Sequence, residues 1–298
     1  MVYEWPCSFV DDRGECMGLR EHSVRVAYSI AKLLGPRLSL RRLAAGTVLG
    51  GISSVSPLLG LGVLAGLTHD LGKSSSHYRE KGGRAYPMHE HVSALALHMA
   101  ARKAGDKGLI VLSEFLNLAA ATVARHHAAM ECRHPDDLGW DKCSRRIYTI
   151  VKASKGLEPG DAVRGSAVDL APIWLRRYLQ ESISASSQLK SGMINSILAH
   201  SQTPCIVEGR GCYRTSGTRA LRIVQTVAGA LIVADILVAW CERGDLSEGK
   251  PYARSWMNEL GQEKVKRVVS VRVEDAEAEV AGLLEKLEGV DSWQEAYS

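Results

Sequence analysis

The chain has 298 residues, 46% apolar and 23% charged, an ordinary globular composition long enough to bury a sizeable core as one large domain or two small ones. Its 37 basic and 33 acidic side chains leave a formal charge of +4. The charge is unevenly divided: residues 1–222 hold 29 basic and 19 acidic groups (+10), and residues 223–298 hold 8 and 14 (−6). The first part can attract a polyanion and the tail cannot, while the length excludes an added two-lobed motor domain.

The first twelve residues include Glu4, Trp5 and Pro6 and show neither a basic nor an apolar leader region, so no secretory signal is predicted. The seven cysteines (Cys7, Cys16, Cys132, Cys143, Cys205, Cys212, Cys241) are odd in number, widely spaced and lack a CxxC pair. This predicts mostly unpaired thiols, no disulfide scaffold and a cytoplasmic protein. Cys132, His134 and Cys143 could form a zinc knuckle, at a spacing that matches no strong template.

In chain order, apolar residues first recur at helical spacing over 22–34 (Val26, Ile30, Leu33, Leu34). No charged residue occurs in 43–68, a stretch long enough to span a bilayer. Its interior, Gly50-Gly51-Ile52-Ser53-Ser54-Val55-Ser56-Pro57, breaks helical periodicity. Two buried helices around a loop are therefore predicted rather than a membrane span, the second helix lying over 57–67. Further helices are predicted over 91–103 (Val92, Leu95, Ala96, Met99), 109–125, 143–153, 170–186 and 217–242.

The last of these, with Leu221, Val224, Ala228, Leu231, Ile232 and Leu237, reads as the central buried helix. An amphipathic helix over 264–288 sets Val268, Val271, Val280, Leu283, Leu284 and Leu287 against a face rich in Glu and Lys. Breaks containing Gly and Ser near 155–167, 201–217 and 244–250 are predicted loops, and no run alternates as a strand with hairpin turns. The expected fold class is all-α. One main domain covers 1–245, with an irregular basic segment inserted at about 130–217, and an acidic helical extension over 246–298 packs on or near it.

Six of the ten histidines fall in four places: His22, His69, the His89/His91 pair, and His126 with His127. His69 and Asp70 are consecutive in Leu67-Thr68-His69-Asp70-Leu71-Gly72-Lys73. Adjacent helical side chains diverge by about 100°, so both reach inward only at a helix end. There an imidazole can ligate one metal and a carboxylate can bridge two. Gly72 suits a helix stop, and Lys73 lies one turn on, where its ammonium can reach a phosphate.

His22 opens an amphipathic helix, where a histidine by itself is more often a capping or surface residue than a ligand. His126-His127 ends an apolar run, and two buried imidazoles are costly unless something pairs them; metal ligation does so. Asp235 interrupts Ala230-Leu231-Ile232-Val233-Ala234-Asp235-Ile236-Leu237-Val238. Such a carboxylate must be protonated, metal-bound or paired, for instance with Arg222.

The ordered set His22, His69-Asp70-x-Gly-Lys73, His89-Glu90-x-x-Ser93-Ala94, His126-His127 and Ala234-Asp235 resembles the HD superfamily of metal-dependent phosphohydrolases. The three strings together are most similar to its CRISPR-associated branch, the HD nuclease of type I systems, here as a stand-alone chain without its helicase. The resemblance covers roughly residues 15–240. It implies a helical HD bundle, two divalent metal ions and cleavage of single-stranded DNA, together with a separate helicase and an RNA-guided surveillance complex as partners.

On this sequence the resemblance puts one metal on His22, His69, Asp70 and Asp235. The other falls on Asp70, His89, His126 and His127, with Asp70 bridging and Lys73 stabilising charge on the phosphate. His89 is preferred to His91 because it stands four residues before Ser93. Ala239 occupies a place where the family often carries a small hydroxyl residue. Two-metal phosphodiester hydrolysis follows, and mixed His and carboxylate ligands favour Mn, Fe, Co or Ni over Mg.

Arg145, Arg146, Lys152, Arg176 and Arg177 are candidates for tracking a strand. The alternative activity is an HD phosphohydrolase acting on nucleotides or cyclic dinucleotides, and a non-catalytic adaptor is a third reading. Gly66 to Ser74 nearly spells a nucleotide-binding loop, but five residues separate its glycines instead of four and it follows a helix, so no ATP hydrolysis is predicted.

Overall fold

The computed structural model describes residues 6–10, 15–35, 57–81, 85–127, 144–186, 205–208, 211–214, 218–243 and 251–286. Strands β1 (Cys7–Val10) and β2 (Cys16–Gly18) form an antiparallel hairpin running directly into α1 (Leu19–Ser29). Helix α1 closes on a π-type turn, Ile30–Leu34, where Gly35 N donates to Ile30 O at 2.8 Å.

Helix α2 (Pro57–Thr68) starts on proline, whose missing N–H is harmless in a first turn, and it is apolar on all sides. A helix with no polar face must be buried, and Leu58, Leu61, Val63, Leu64 and Leu67 are fully so. A Cβ on Gly66 would stand 2.7 Å from the Ala27 Cα, so glycine here lets α2 cross α1 backbone to backbone.

A tight turn (Leu71–Ser74) and the short α3 (Ser76–Arg79) lead to α4 (His89–Asp106) and α5 (Ile110–Val123), which pack extensively on each other. Then come α6 (Ser144–Lys155), α7 (Pro159–Gly165) and α8 (Ile173–Ser186), with α8 against α4. A second hairpin, β3 (Cys205–Glu208) with β4 (Gly211–Arg214), precedes the long α9 (Thr218–Glu242).

Helix α9 packs on α1, α2 and α5. Its Leu221–Glu242 stretch is long and apolar enough to cross a membrane, but 61% of its apolar window is buried in the bundle. Helices α10 (Pro251–Leu260), α11 (Gln262–Val269) and α12 (Val273–Glu285) complete the fold, which is all-α apart from the two hairpins among the described residues. Helix α12 lies on α1, tied by Arg20–Glu277 at 2.7 Å and by Lys32–Glu279, and its Ala276, Val280 and Leu284 join the common core.

Several expectations are corrected. Cys7 and Cys16 are disulfide-bonded, with Cα atoms 5.5 Å apart: they lie on the two paired strands of the β1–β2 hairpin, Cys7 opposite Gly18 and Cys16 opposite Val10; Cys241 is a free thiol. The inserted segment is largely helical where described. Helix α7 occupies part of the expected 155–167 loop, with Pro159 in its first turn and Ala162 and Gly165 buried.

The β3–β4 hairpin falls in the expected 201–217 loop, with Ile206 opposite Tyr213 and Val207 opposite Cys212. The single helix expected over 264–288 is broken. Ser270 Oγ bonds back to Lys266 O at 2.7 Å, closing α11, and the Val271 carbonyl turns out to receive Arg25 Nε at 3.4 Å. Leu221 is 40% exposed at the start of α9 rather than buried. The expected loop over 244–250, the helix preceding 57 and the Cys132/His134/Cys143 group lie outside the described residues.

Candidate metal centre

His22 comes from α1, His89 from the first residue of α4, and Asp235 from the middle of α9. His69 and Asp70 follow directly on α2, and His126 and His127 lie just beyond α5. Because α2 ends at Thr68, the consecutive His69 and Asp70 side chains escape the divergence a continuing helix would impose.

Two local devices aim α4 at them. Met88 adopts a left-handed backbone (φ 66°), costing a non-glycine residue about 1 kcal/mol, and so turns the chain into the helix. Ser93 Oγ donates to His89 O at 3.0 Å and accepts from Gly72 N at 2.8 Å, stitching the Lys73 turn to α4. Gly72 sits so close that a Cβ would stand 2.3 Å from His89 O.

Asp70, 1% exposed, is the centre. Its two oxygens face different ways. Oδ2 looks toward His69 Nε2 (3.4 Å), His22 Nε2 (3.6 Å) and Lys73 Nζ (2.6 Å). Oδ1 looks toward His89 Nε2 (2.8 Å) and His126 Nε2 (3.9 Å). Asp235 Oδ1 stands 3.1 Å from His22 Nε2 and 3.7 Å from His69 Nε2, while Arg222 is exposed near the start of the same helix. The His127 ring lies 5.1 Å from that of His89 and 4.1 Å from that of His126.

Three histidines share one hydrogen-bond pattern. Nδ1 of His69, His89 and His126 meets the backbone carbonyl three residues back (Gly66 at 2.8 Å, Tyr86 at 2.6 Å and Val123 at 2.7 Å). A carbonyl only accepts, so Nδ1 carries the proton, and in the neutral ring Nε2 is a bare lone pair. The three Nε2 atoms and both Asp70 oxygens are buried.

Asp70 Oδ2 has the Lys73 ammonium at 2.6 Å, but the other four atoms have no hydrogen bond, and burying them so is costly. At 2.8 Å, His89 Nε2 and Asp70 Oδ1 bring two lone-pair atoms together, an arrangement that calls for a positive charge between them. A metal cation fits this donor set, since each imidazole is already oriented through its other nitrogen. Three groups have all their ligand atoms within 4.8 Å of one another: His22/His69/Asp235, His89/His126/His127 and His69/Asp70/His126.

Protons on the imidazoles also balance the carboxylates. Burial works against the charged form of His22, yet Glu242 and Asp235 outweigh it and push the group up to about 10. His69 is likewise raised to about 9, against burial, by Asp70 and Asp235. On the other side, burial and neighbouring histidines hold His126 well below the usual range and His127 at about 4. Asp70 and Asp235 stay ionised despite burial, held by His69, Lys73 and His89 in the first case and by His22 and His69 in the second. His22 and His69 are therefore cationic imidazoles bridging carboxylates, while His126 and His127 are neutral imidazoles offering lone pairs.

Every candidate site residue thus falls in one cluster: His22, His69, Asp70, Lys73, His89, His126, His127 and Asp235. His91 does not. Two residues beyond His89 on α4, it is rotated about 200° away, fully buried, with Nε2 4.0 Å from Glu90 Oε1.

Sequence reasoning missed Glu242, whose Oε2 lies 2.9 Å from His22 Nδ1. Its seven-residue spacing from Asp235, two helical turns, was the available signal. Among the strand-tracking candidates, Arg146, Lys152 and Arg177 are exposed and Arg176 is half-buried. No protein-family model, curated protein or solved structure matches the chain.

Proposed function

We propose that this cluster holds two divalent cations, Mn, Fe, Co or Ni rather than Mg, and that the protein hydrolyses phosphodiesters of single-stranded DNA. In this reading it is the nuclease of a type I CRISPR interference system, working in the cytoplasm with a separate helicase and an RNA-guided complex. The observation that carries the metal assignment is the division of Asp70, with Oδ2 toward the His22/His69 side and Oδ1 toward the His89/His126 side. A carboxylate so placed bridges two positions.

His22, His69 and Asp235 would hold one cation and His89, His126 and His127 the other. When bound, the pair supplies Lewis-acid charge to the scissile phosphate and an acidified water as nucleophile. The chain's own part is orientation. Backbone carbonyls fix three imidazoles through Nδ1, and the buried walls keep bulk water from screening the site. Lys73, 5.4 Å from the Tyr86 ring centre and 14% exposed at its side chain, is the cation nearest the carboxylate and stabilises charge on the phosphate.

A polymeric substrate is supported by the basic surplus in residues 1–222 and by α6, which lacks acidic residues, exposes Arg146, Lys152 and Lys155, and presents Tyr148 at 62% exposure. Exposed aromatic and cationic side chains together suit a single strand. The second reading, a hydrolase of nucleotides or cyclic dinucleotides, draws on the depth of the cluster, whose His69 is fully buried.

The deciding experiment incubates the protein with labelled single-stranded DNA, duplex DNA, RNA and cyclic dinucleotides across a metal series without ATP. Cleavage of single-stranded DNA that vanishes with EDTA and returns with Mn²⁺, Co²⁺ or Ni²⁺ is expected. Turnover of cyclic dinucleotides alone would move the assignment to the second reading, and no metal-dependent hydrolysis would end both.

A further inference from the structure

We propose that Glu242 is the positioning residue of His22, through which the His22/His69/Asp235 half of the cluster is tuned separately from the His89/His126/His127 half. The inference rests on the two-metal reading above. Glu242 ends α9 with a side chain only 3% exposed, and its Oε2 accepts from His22 Nδ1 at 2.9 Å. Asp235, two turns earlier on the same face, meets the other ring nitrogen at 3.1 Å. A single helix thus grips both nitrogens of one imidazole, which fixes the ring's plane and leaves Nε2 as the ligating atom.

His22 differs from its neighbours in the kind of group that holds it. His69, His89 and His126 rely on neutral backbone carbonyls three residues away, a contact built into the local chain. His22 relies on a charged carboxylate 220 residues away. A charge-assisted bond is stronger, and a carboxylate behind an imidazole makes it a better metal donor.

A buried glutamate also needs a counter-charge. Arg25, three residues after His22 on α1, supplies it, with Nη1 3.4 Å from Glu242 Oε1. Arg25 Nε in turn donates to Val271 O at 3.4 Å, between α11 and α12. The C-terminal extension is thereby tied to this half of the centre through a continuous path: Val271 carbonyl, Arg25, Glu242, His22. Among the described residues no carboxylate stands behind Nδ1 of His69 or His126, and at His89 the Tyr86 carbonyl at 2.6 Å is nearer to Nδ1 than Glu90 Oε2 at 3.4 Å. Glu242 itself is outside all three metal-competent groups, so its role is to orient a ligand rather than to be one.

The test uses the full-length protein, freed of metal, as wild type and as Glu242→Gln, Glu242→Ala and His126→Ala. Mn²⁺ binding is followed by electron paramagnetic resonance and calorimetry, and the His22 ring by nitrogen-15 NMR. Wild type should bind two cations. Glu242→Gln keeps the size of the side chain and removes its charge, and should weaken one of the two sites by roughly 10- to 100-fold while leaving the other unchanged. It should also shift the His22 Nδ1–H resonance.

His126→Ala should weaken the opposite site. Two sites in the wild type with both affinities and the His22 signal unchanged in Glu242→Gln would overturn this inference alone. Equal weakening of both sites would also overturn it, marking Glu242 as merely structural. A wild type that binds no cation would overturn the metal reading, and this inference with it.

Discussion

Lys73 Nζ lies 2.6 Å from Asp70 Oδ2, so the lysine expected to meet a phosphate is engaged with the carboxylate at the centre of the cluster. The two residues are three apart and sit on the turn after α2, where the Gly72–Ser93 bond pins the backbone between them. A cation at Oδ2 and the Lys73 ammonium are competitors for the same oxygen.

Replacing Lys73 with alanine should therefore separate binding from chemistry. Mn²⁺ affinity should hold or tighten, because a competing charge is gone, while cleavage should slow by about 100-fold or more through loss of a cation near the phosphate. Calorimetry beside single-turnover cleavage reads both. Loss of metal binding would show instead that Lys73 is needed to build the site.

His89 and His91 provide a matched pair on one helix. His89→Ala removes an imidazole 2.8 Å from Asp70 and should lower both metal occupancy and cleavage, the latter by about 100-fold or more. His91→Ala truncates a fully buried side chain on the other face and should lower the thermal midpoint while keeping two bound metals. Metal content by mass spectrometry with a melting curve distinguishes them. The reverse ranking would overturn the ligand set.

Glu114 sets a pH dependence away from the cluster. It is 2% exposed on α5, neither carboxylate oxygen meets a hydrogen-bond partner, and burial pushes it up to about 7 from the ordinary 4.5. The folded state therefore holds this proton more tightly than the unfolded chain. Its contribution to stability is intact below about pH 4.5 and falls as pH rises toward 7, a loss on the order of 3 kcal/mol. Glu114→Gln should match wild type near pH 4.5 and exceed it at pH 8 in urea unfolding. An equal difference at both pH values would refute this.

The Cys7–Cys16 bond closes a short loop just ahead of the helix that carries His22. Cross-linking a loop of this size stabilises by about 2–3 kcal/mol. The Cys7→Ser, Cys16→Ser double variant, or reductant on the wild type, should lower the thermal midpoint by several degrees. Identical melting with and without reductant would mean the hairpin holds without its bond.

Much of the helical order was legible because burial imposes a 3.6-residue period on any amphipathic segment. Val92, Leu95 and Ala96 on α4, and Val224, Leu231 and Leu237 on α9, are buried as their spacing implied. Where the reading failed, local signals were outweighed or absent. The pattern over 264–288 is helical throughout, yet Arg25 takes the Val271 carbonyl and the chain turns there. Cys7 and Cys16 are nine residues apart with no motif between them, and only the pairing of β1 with β2 brings them together.

By itself the sequence determined which residues could do chemistry: paired histidines at the ends of apolar runs, an acid within an apolar helix, and a His-Asp doublet before a glycine. Those are statements about neighbours in the chain, where covalent spacing fixes direction. The tertiary structure alone decided that the two oxygens of Asp70 face opposite halves of the cluster, and that Glu242 grips His22 from 220 residues away. Contacts of that kind arise from how helices cross. Crossing angles follow from the packing of whole faces, a property no short window of residues contains.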